Sequence, residues 1–252
     1  MLAPHAPYTV SNKTFAHILT ISDEADYPVM MHVHETAHEL AEGQREHGCR
    51  PIERLERLGI LGPNLIAVHC VHLNAHEIEL FARHGVHVAH CPASNLKLAS
   101  GIAPIKLLLD AGVNVGIGTD GAASNNRLDM LAETRLAALL QKGVSGHAAA
   151  LPVHQALEMA TLNAAAALGW ENEIGSIVAG KAADLTAIDL SSIETQPVYD
   201  PVSHLFHAAS REHVSHVWVG GELLLDNRVL TRLDLDELKA KATLWQQRFE
   251  EH

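Results

Sequence analysis

The chain has 252 residues, enough for one large domain or two small ones. Hydrophobic residues make up 47% and charged residues 19%, a globular composition that excludes a disordered chain. Thirty acidic against eighteen basic residues leave a formal charge of -12, which excludes the basic footprint of a nucleic-acid-binding module.

The opening MLAPHAPYTV has no basic n-region and no h-region, so no signal peptide is expected. No apolar run reaches membrane-spanning length. Residues 27–34 (YPVMMHVH) read as a first strand, followed by helical patterns at 36–46 and 51–58. Residues 65–70 (LIAVHC) read as a second strand. A helix over 75–83 follows, with Asn74 as its N-cap. Residues 86–90 (VHVAH) give a third strand. The helix at 104–110 has Pro104 in its first turn, where a missing N–H costs nothing. Residues 114–119 (NVGIGT) give a fourth strand, and 128–141 and 152–168 read as longer amphipathic helices. Gly112 and Gly169 stand where helices stop. Short apolar strands alternating with helices predict βαβ units around a parallel sheet.

The pattern changes near Gly175. Residues 175–190 read as a hairpin and strand, and VSHVWV, Gly220, Gly221 and ELLL read as a second hairpin. Residues 234–249 form a charged amphipathic helix. The expected domains are therefore 1–173, a (β/α) part, and 174–252, a small antiparallel β unit with a terminal helix.

Nineteen histidines outnumber lysine and arginine together and point toward metal or proton chemistry. His47, His84, His147, His213 and His252 lie in polar or terminal contexts and are expected to be solvated. Cys49, Cys70 and Cys91 are odd in number and form no C-x-x-C, which predicts free thiols in a reducing, cytoplasmic compartment. His32 and Glu35 follow the first strand, His69 the second, His90 the third and Asp120 the fourth. Chemistry in parallel βα folds gathers at such strand ends. Imidazole and carboxylate there suit Zn²⁺ or Fe²⁺, and Glu35 is placed to move protons. H-x-H-E alone is a weak signal, and a lone strand-end histidine is more often structural; the combination over several strand ends carries the argument.

HVHE at 32–35, HCVHL at 69–73, HCPASNLKLASGIAP at 90–104 and GTDGAASNN at 118–126 resemble the amidohydrolase superfamily. PHAPYTVS at 4–11 and GSIVAGKAADLTAID at 175–189 fit the same pattern. The nearest resemblance is to the 5-methylthioadenosine/S-adenosylhomocysteine deaminase branch, with triazine chlorohydrolases close by. The resemblance implies the C-terminal half of a TIM-like (β/α)8 barrel, strands five to eight, followed by part of a small β domain. It implies one divalent ion, zinc or iron, with His32 and Asp120 as ligands. Glu35, His69 and Asp120 take the catalytic roles: Glu35 as proton relay to the ring, His69 steadying the reacting centre, Asp120 as base. His5, Glu35 and Ser124 contact substrate. The implied reaction is hydrolytic deamination of a purine nucleoside through metal-bound hydroxide, with triazine chlorohydrolysis as the alternative. His72 and His90 acquire no role.

The family also has a first barrel strand carrying H-x-H, two more ligands, and arginines for the substrate tail. None of these is found here, so the metal site is expected to be incomplete in this chain. Met1 then corresponds to the end of the family's fourth strand. Three readings follow: an internal residue of a longer enzyme, a fragment that associates with a chain supplying the other half or with itself, or a remnant without catalysis.

Overall fold

Four short, largely buried strands build the core of the first unit of the molecule. The computed structural model describes residues 1–250. They form two units, Met1–Ser176 and the residues from Ile177 onward. The first runs α1 (Asn12–Ala25), β1 (Val29–Val33), α2 (Ala37–His47), α3 (Pro51–Arg57), β2 (Leu65–His69), α4 (Ala75–His84), β3 (His87–His90), α5 (Pro92–Lys97) and α6 (Ile105–Asp110). It continues through β4 (Val115–Ile117), α7 (Met130–Ser145), α8 (Val153–Ala160) and α9 (Leu162–Ala167).

The four strands pair in parallel in the order β1-β2-β3-β4. Val29 stands opposite Leu65, Ala67 opposite Val88, and Val88 opposite Val115. One face of this sheet, carrying Val29, Met31, Val33, Leu65, Ala67, Val88, Val115 and Ile117, shares a core with Phe15, Ile52, Leu55, Phe81, Ile105 and Leu108 of the helices. Burying each such side chain is worth about 1.5–3 kcal/mol against leaving it in water. On the other face Met30, His32, His87 and Ala89 are half-buried, while Ile66, Val68 and Gly116 between them are buried. Two-residue periodicity thus sends apolar groups to the helices and puts His32 and His87 on the other face. Residues 2–5 run beside β1: Leu2 bridges Val29 in parallel, and the His32 N–H donates to the His5 carbonyl.

Local chemistry sets the helix ends. Asn74 and Glu77 form a complete capping box at α4. Asp129, Thr36 and Ser11 cap α7, α2 and α1. Gly116 lies where a Cβ would come within 3.1 Å of Ala164, so glycine lets α9 approach β4.

Helix α1 was not expected from the sequence. The single helix expected over 152–168 is two, α8 and α9, broken at Thr161 (φ -133°, ψ -91°). The Thr161 hydroxyl donates back to the Leu157 carbonyl, and Gly175 (φ 85°) packs against the break, where a Cβ would lie 2.8 Å from Ala165.

The second unit has β5 (Leu185–Ile188), α10 (Pro201–His207), β6 (Val214–Val219), β7 (Glu222–Asp226), β8 (Val229–Leu230) and α11 (Leu235–Glu250). Its sheet is antiparallel in the order β5-β6-β7-β8. The hairpin expected within 175–190 is instead turns followed by the lone strand β5, whereas the hairpin through Gly220 and Gly221 forms, with both glycines at positive φ. No residue of these four strands is buried, and none of α11 is.

Of the histidines expected in water, His47 and His147 are exposed, while His84 and His213 are half-buried. His213 is held by Ser192 and Ser210; His252 lies outside the described residues. All three cysteines are free and buried. No helix among the described residues is long and apolar enough to cross a membrane.

Candidate active site

The site forms where the parallel strands end. His32 is the fourth residue of β1 and faces the open side of the sheet. Its Nδ1–H donates to the His5 carbonyl at 2.6 Å, which leaves Nε2 free to act as a donor of electrons. The His5 ring meets the His32 ring edge-on, 5.1 Å between centroids, and its Nδ1 lies 3.1 Å from the Thr9 hydroxyl. Arg54, 5% exposed, ties down this segment by donating to the carbonyls of Pro7 and Val10 and to the Asn12 side chain.

His69 ends β2 with φ 74°, and Cys70 follows at φ 52°. Two left-handed residues break the strand alternation. The His69 ring consequently stacks on His32 at 5.3 Å rather than entering the helix-facing core. Its Nε2 is 3.9 Å from both Glu35 Oε2 and Asp120 Oδ2. Its Nδ1 is 2.8 Å from Asn95 Oδ1. Burial lowers its pKa, with Glu35 and the Asn95 hydrogen bond acting the other way.

Asp120 is also left-handed, at φ 61°. Its Oδ2 accepts from the Ser94 and Ser124 hydroxyls, both at 2.6 Å, and its Oδ1 accepts from the Gly121 N–H at 2.7 Å. Burial works to raise this carboxyl, and the three hydrogen bonds outweigh it and hold the group below its ordinary value. Ser124, expected to contact substrate, spends its hydroxyl on Asp120 and on the Gly121 carbonyl.

Glu35 accepts a long hydrogen bond, 3.4 Å, from Ser100. Its own backbone N–H and that of His34 each donate to the Glu39 carboxylate at 2.9 Å. Glu39 is 2% exposed, and burial pushes it up to about 7. His34, at φ 52°, leaves the site altogether: it is fully buried between the Ile52 N–H and Glu77, and burial lowers it to about 4. His72 faces the Ser100 carbonyl at 2.9 Å. His90, the last residue of β3, is buried, with no hydrogen-bond partner for either ring nitrogen among the described residues; burial, and the charge of His69, lower it to about 3.

The structure thus gathers His5, His32, Glu35, His69, Asp120 and Ser124, and leaves His72 and His90 outside. Sequence reasoning missed Glu39, Ser94 and Asn95. The T-x-x-E spacing of Thr36 and Glu39 was a readable signal; Ser94 and Asn95 had none beyond their place in the 90–104 motif.

A divalent ion fits this donor set in kind. His32 offers an Nε2 with its other nitrogen fixed by a carbonyl, and Asp120 offers a carboxylate 3.9 Å from His69, the ring stacked on His32. It does not fit in number. Among the described residues no group of three or more His, Cys, Asp or Glu is placed to hold one ion, and catalytic zinc keeps at least three protein ligands.

Comparison with known proteins gives the family. Residues 1–224 match the model of the amidohydrolase family. The chain belongs to that family. It is 47% identical over 97% of its length to a 5-methylthioadenosine/S-adenosylhomocysteine deaminase of Teredinibacter turnerae, and 45% identical over 96% to a 5'-deoxyadenosine deaminase of Methanopyrus kandleri. These matches cover 55% and 56% of the two relatives, so the chain spans about half the length of the curated relatives it matches. Among solved structures it resembles an adenosine deaminase of Xanthomonas campestris with bound zinc, at TM-score 0.97 and 48% identity, covering 99% of this chain and 57% of that one. It also resembles an atrazine chlorohydrolase of Arthrobacter aurescens complexed with zinc, at TM-score 0.88 and 30% identity, covering 93% of this chain and 52% of that one.

Proposed function

We propose that this chain carries the proton-handling half of a hydrolytic deaminase acting on an adenine-type nucleoside such as 5-methylthioadenosine or S-adenosylhomocysteine. The observation that carries the reading is the convergence of Glu35, His69 and Asp120 within 3.9 Å contacts at the ends of parallel strands, in a chain 41–47% identical to proteins named for that reaction. Asp120, held below its ordinary pKa, is a carboxylate at neutral pH and takes a proton from the attacking water. Glu35 delivers a proton to the ring nitrogen beside the amine-bearing carbon. His69 orients the adding oxygen through Nε2. Asp120 passes its proton to the amine, ammonia leaves from the tetrahedral carbon, and the proton of the added hydroxyl returns to Glu35 as the carbonyl forms. His5 lines the approach, and Ser124 holds Asp120. A divalent ion, zinc or iron, held by His32 and Asp120 with further donors, would supply Lewis-acid activation of the water.

The further donors come, in this reading, from polypeptide beyond these residues, in the same chain or in a partner. Two features support it. The strand order is sequential with the core on one face, as in a barrel segment, and on the other face Met30, His32, His87 and Ala89 are only half-buried. Residues 1–173 are then strands five to eight of a TIM-like barrel, and 174–252 the remainder of a small β domain. Free buried cysteines suit a reducing cytoplasmic setting.

The test is loss of adenosine-type absorbance from 5-methylthioadenosine on adding zinc-loaded protein, with Glu35→Gln beside it. The substitution removes only the transferable proton, and a loss of about 10²- to 10⁴-fold is expected. Chloride or amine release from a triazine without deamination of the nucleoside would shift the reading to a chlorohydrolase. No turnover by the 252-residue chain, with or without a partner, would assign it a non-catalytic role.

A further inference from the structure

Behind the reacting groups lies one short helix whose side chains touch two of them. Ser94 and Asn95 are consecutive residues of α5, 0% and 1% exposed. Ser94 donates to Asp120 Oδ2, and Asn95 Oδ1 faces His69 Nδ1. The helix itself is anchored. The Ala93 N–H donates to Glu133 Oε2 at 3.1 Å, and Asn125 donates to Glu133 Oε1 at 2.6 Å. Glu133 is 3% exposed on α7, so α5 rests on a buried carboxylate and not on solvent.

An amide oxygen only accepts hydrogen bonds, so the ring nitrogen facing it must carry the proton. A free imidazole favours the other tautomer, with its proton on Nε2. The left-handed backbone at His69 turns the ring so that Nδ1 meets Asn95 and Nε2 meets Glu35 and Asp120. We propose that Asn95 is a positioning residue that reserves Nδ1 of His69 for its own hydrogen bond, so that Nε2 alone exchanges a proton or a hydrogen bond with the reacting centre. Ser94 performs the matching task on Asp120: together with Ser124 it occupies Oδ2 and fixes the carboxylate plane. The inference rests on the deaminase reading for its consequence, but not for its test.

That test is the nitrogen NMR spectrum of histidine-labelled protein, recorded without substrate or metal at a pH where His69 is neutral. In the wild type, His69 Nδ1 is expected to show the protonated-nitrogen shift and Nε2 the unprotonated one. Asn95→Leu removes the acceptor and shifts the tautomer ratio about tenfold toward Nε2–H, the equivalent of one net hydrogen bond. Asn95→Asp keeps an acceptor and keeps the wild-type tautomer. A wild-type spectrum with the proton on Nε2, or an Asn95→Leu spectrum like the wild type, would overturn the proposal. Where Asn95→Leu fails to fold, the wild-type and Asn95→Asp spectra still decide it. A protein that never deaminates a nucleoside yet shows the Nδ1–H form would refute the function and leave this role standing.

Discussion

The two units of this chain solve the same problem differently. In Met1–Ser176 every strand sends alternate side chains into one shared core, and that core contains fully buried Phe15, Phe81, Ile52 and Leu108. In the unit from Ile177 on, four strands pair antiparallel, with register shifts at Ala187/Ile188 and Val217/Trp218, yet none of their residues is buried, and Val219 and Val229 are exposed. Backbone pairing with half-buried side chains therefore defines the second sheet, whereas full burial of one face defines the first. A sheet needs a second layer to bury a face. The difference teaches that regular strands are no measure of local stability.

Core substitution gives the largest contrast. Phe81→Ala should cost about 3–5 kcal/mol in urea unfolding followed by circular dichroism. An equal loss from Trp218→Ala in β6 would break the comparison.

Acid should separate the units next. Burial holds His34 at about 4 and His90 at about 3, below the roughly 6.5 of an unfolded histidine. The unfolded chain takes up these protons first, so the stability they permit is complete above about pH 6.5 and is lost as pH falls toward the folded values. Glu39 runs the other way: held up at about 7, it keeps its proton in the fold, and its contribution declines as pH rises from about 4.3 to that value. His90→Leu should flatten the acid-side loss in thermal melts between pH 7 and pH 4 by removing a buried ring whose nitrogens lack partners among the described residues. Melts that keep the wild-type slope would mean that His90 is not a source of it.

Removing a cap is a smaller perturbation. Asn74→Ala deletes the acceptor of the Glu77 N–H and should cost about 1 kcal/mol by chemical unfolding. The smallest expected effect is that of Trp218→Ala, which loses a half-buried ring stacked on His216 and should stay within about 1 kcal/mol.

Much of the first unit was legible because its strands are short apolar runs bounded by turn residues. Asn74 read correctly as a cap because the chemistry is local. Helix α1 did not read: its buried face is little more than Phe15 and Ser22, too sparse for a periodic stripe. The break at Thr161 needed Gly175, distant in sequence, to be visible. In the site, the residues at strand ends stood out by type. Their orientation did not, since it depends on left-handed backbone at His34, His69 and Asp120, which are not glycines and carry no turn signal strong enough to announce it. Ser94, Asn95 and Glu39 act through contacts that only the assembled fold creates.

The His5 carbonyl accepts from both the backbone and the ring of His32. Alignment of that imidazole and pairing along the outer edge of β1 are therefore one event. A proteolytic cut that peels residues 2–5 from the edge frees the ring to rotate, although it touches no reacting group. The edge of the sheet works as the rein on the site.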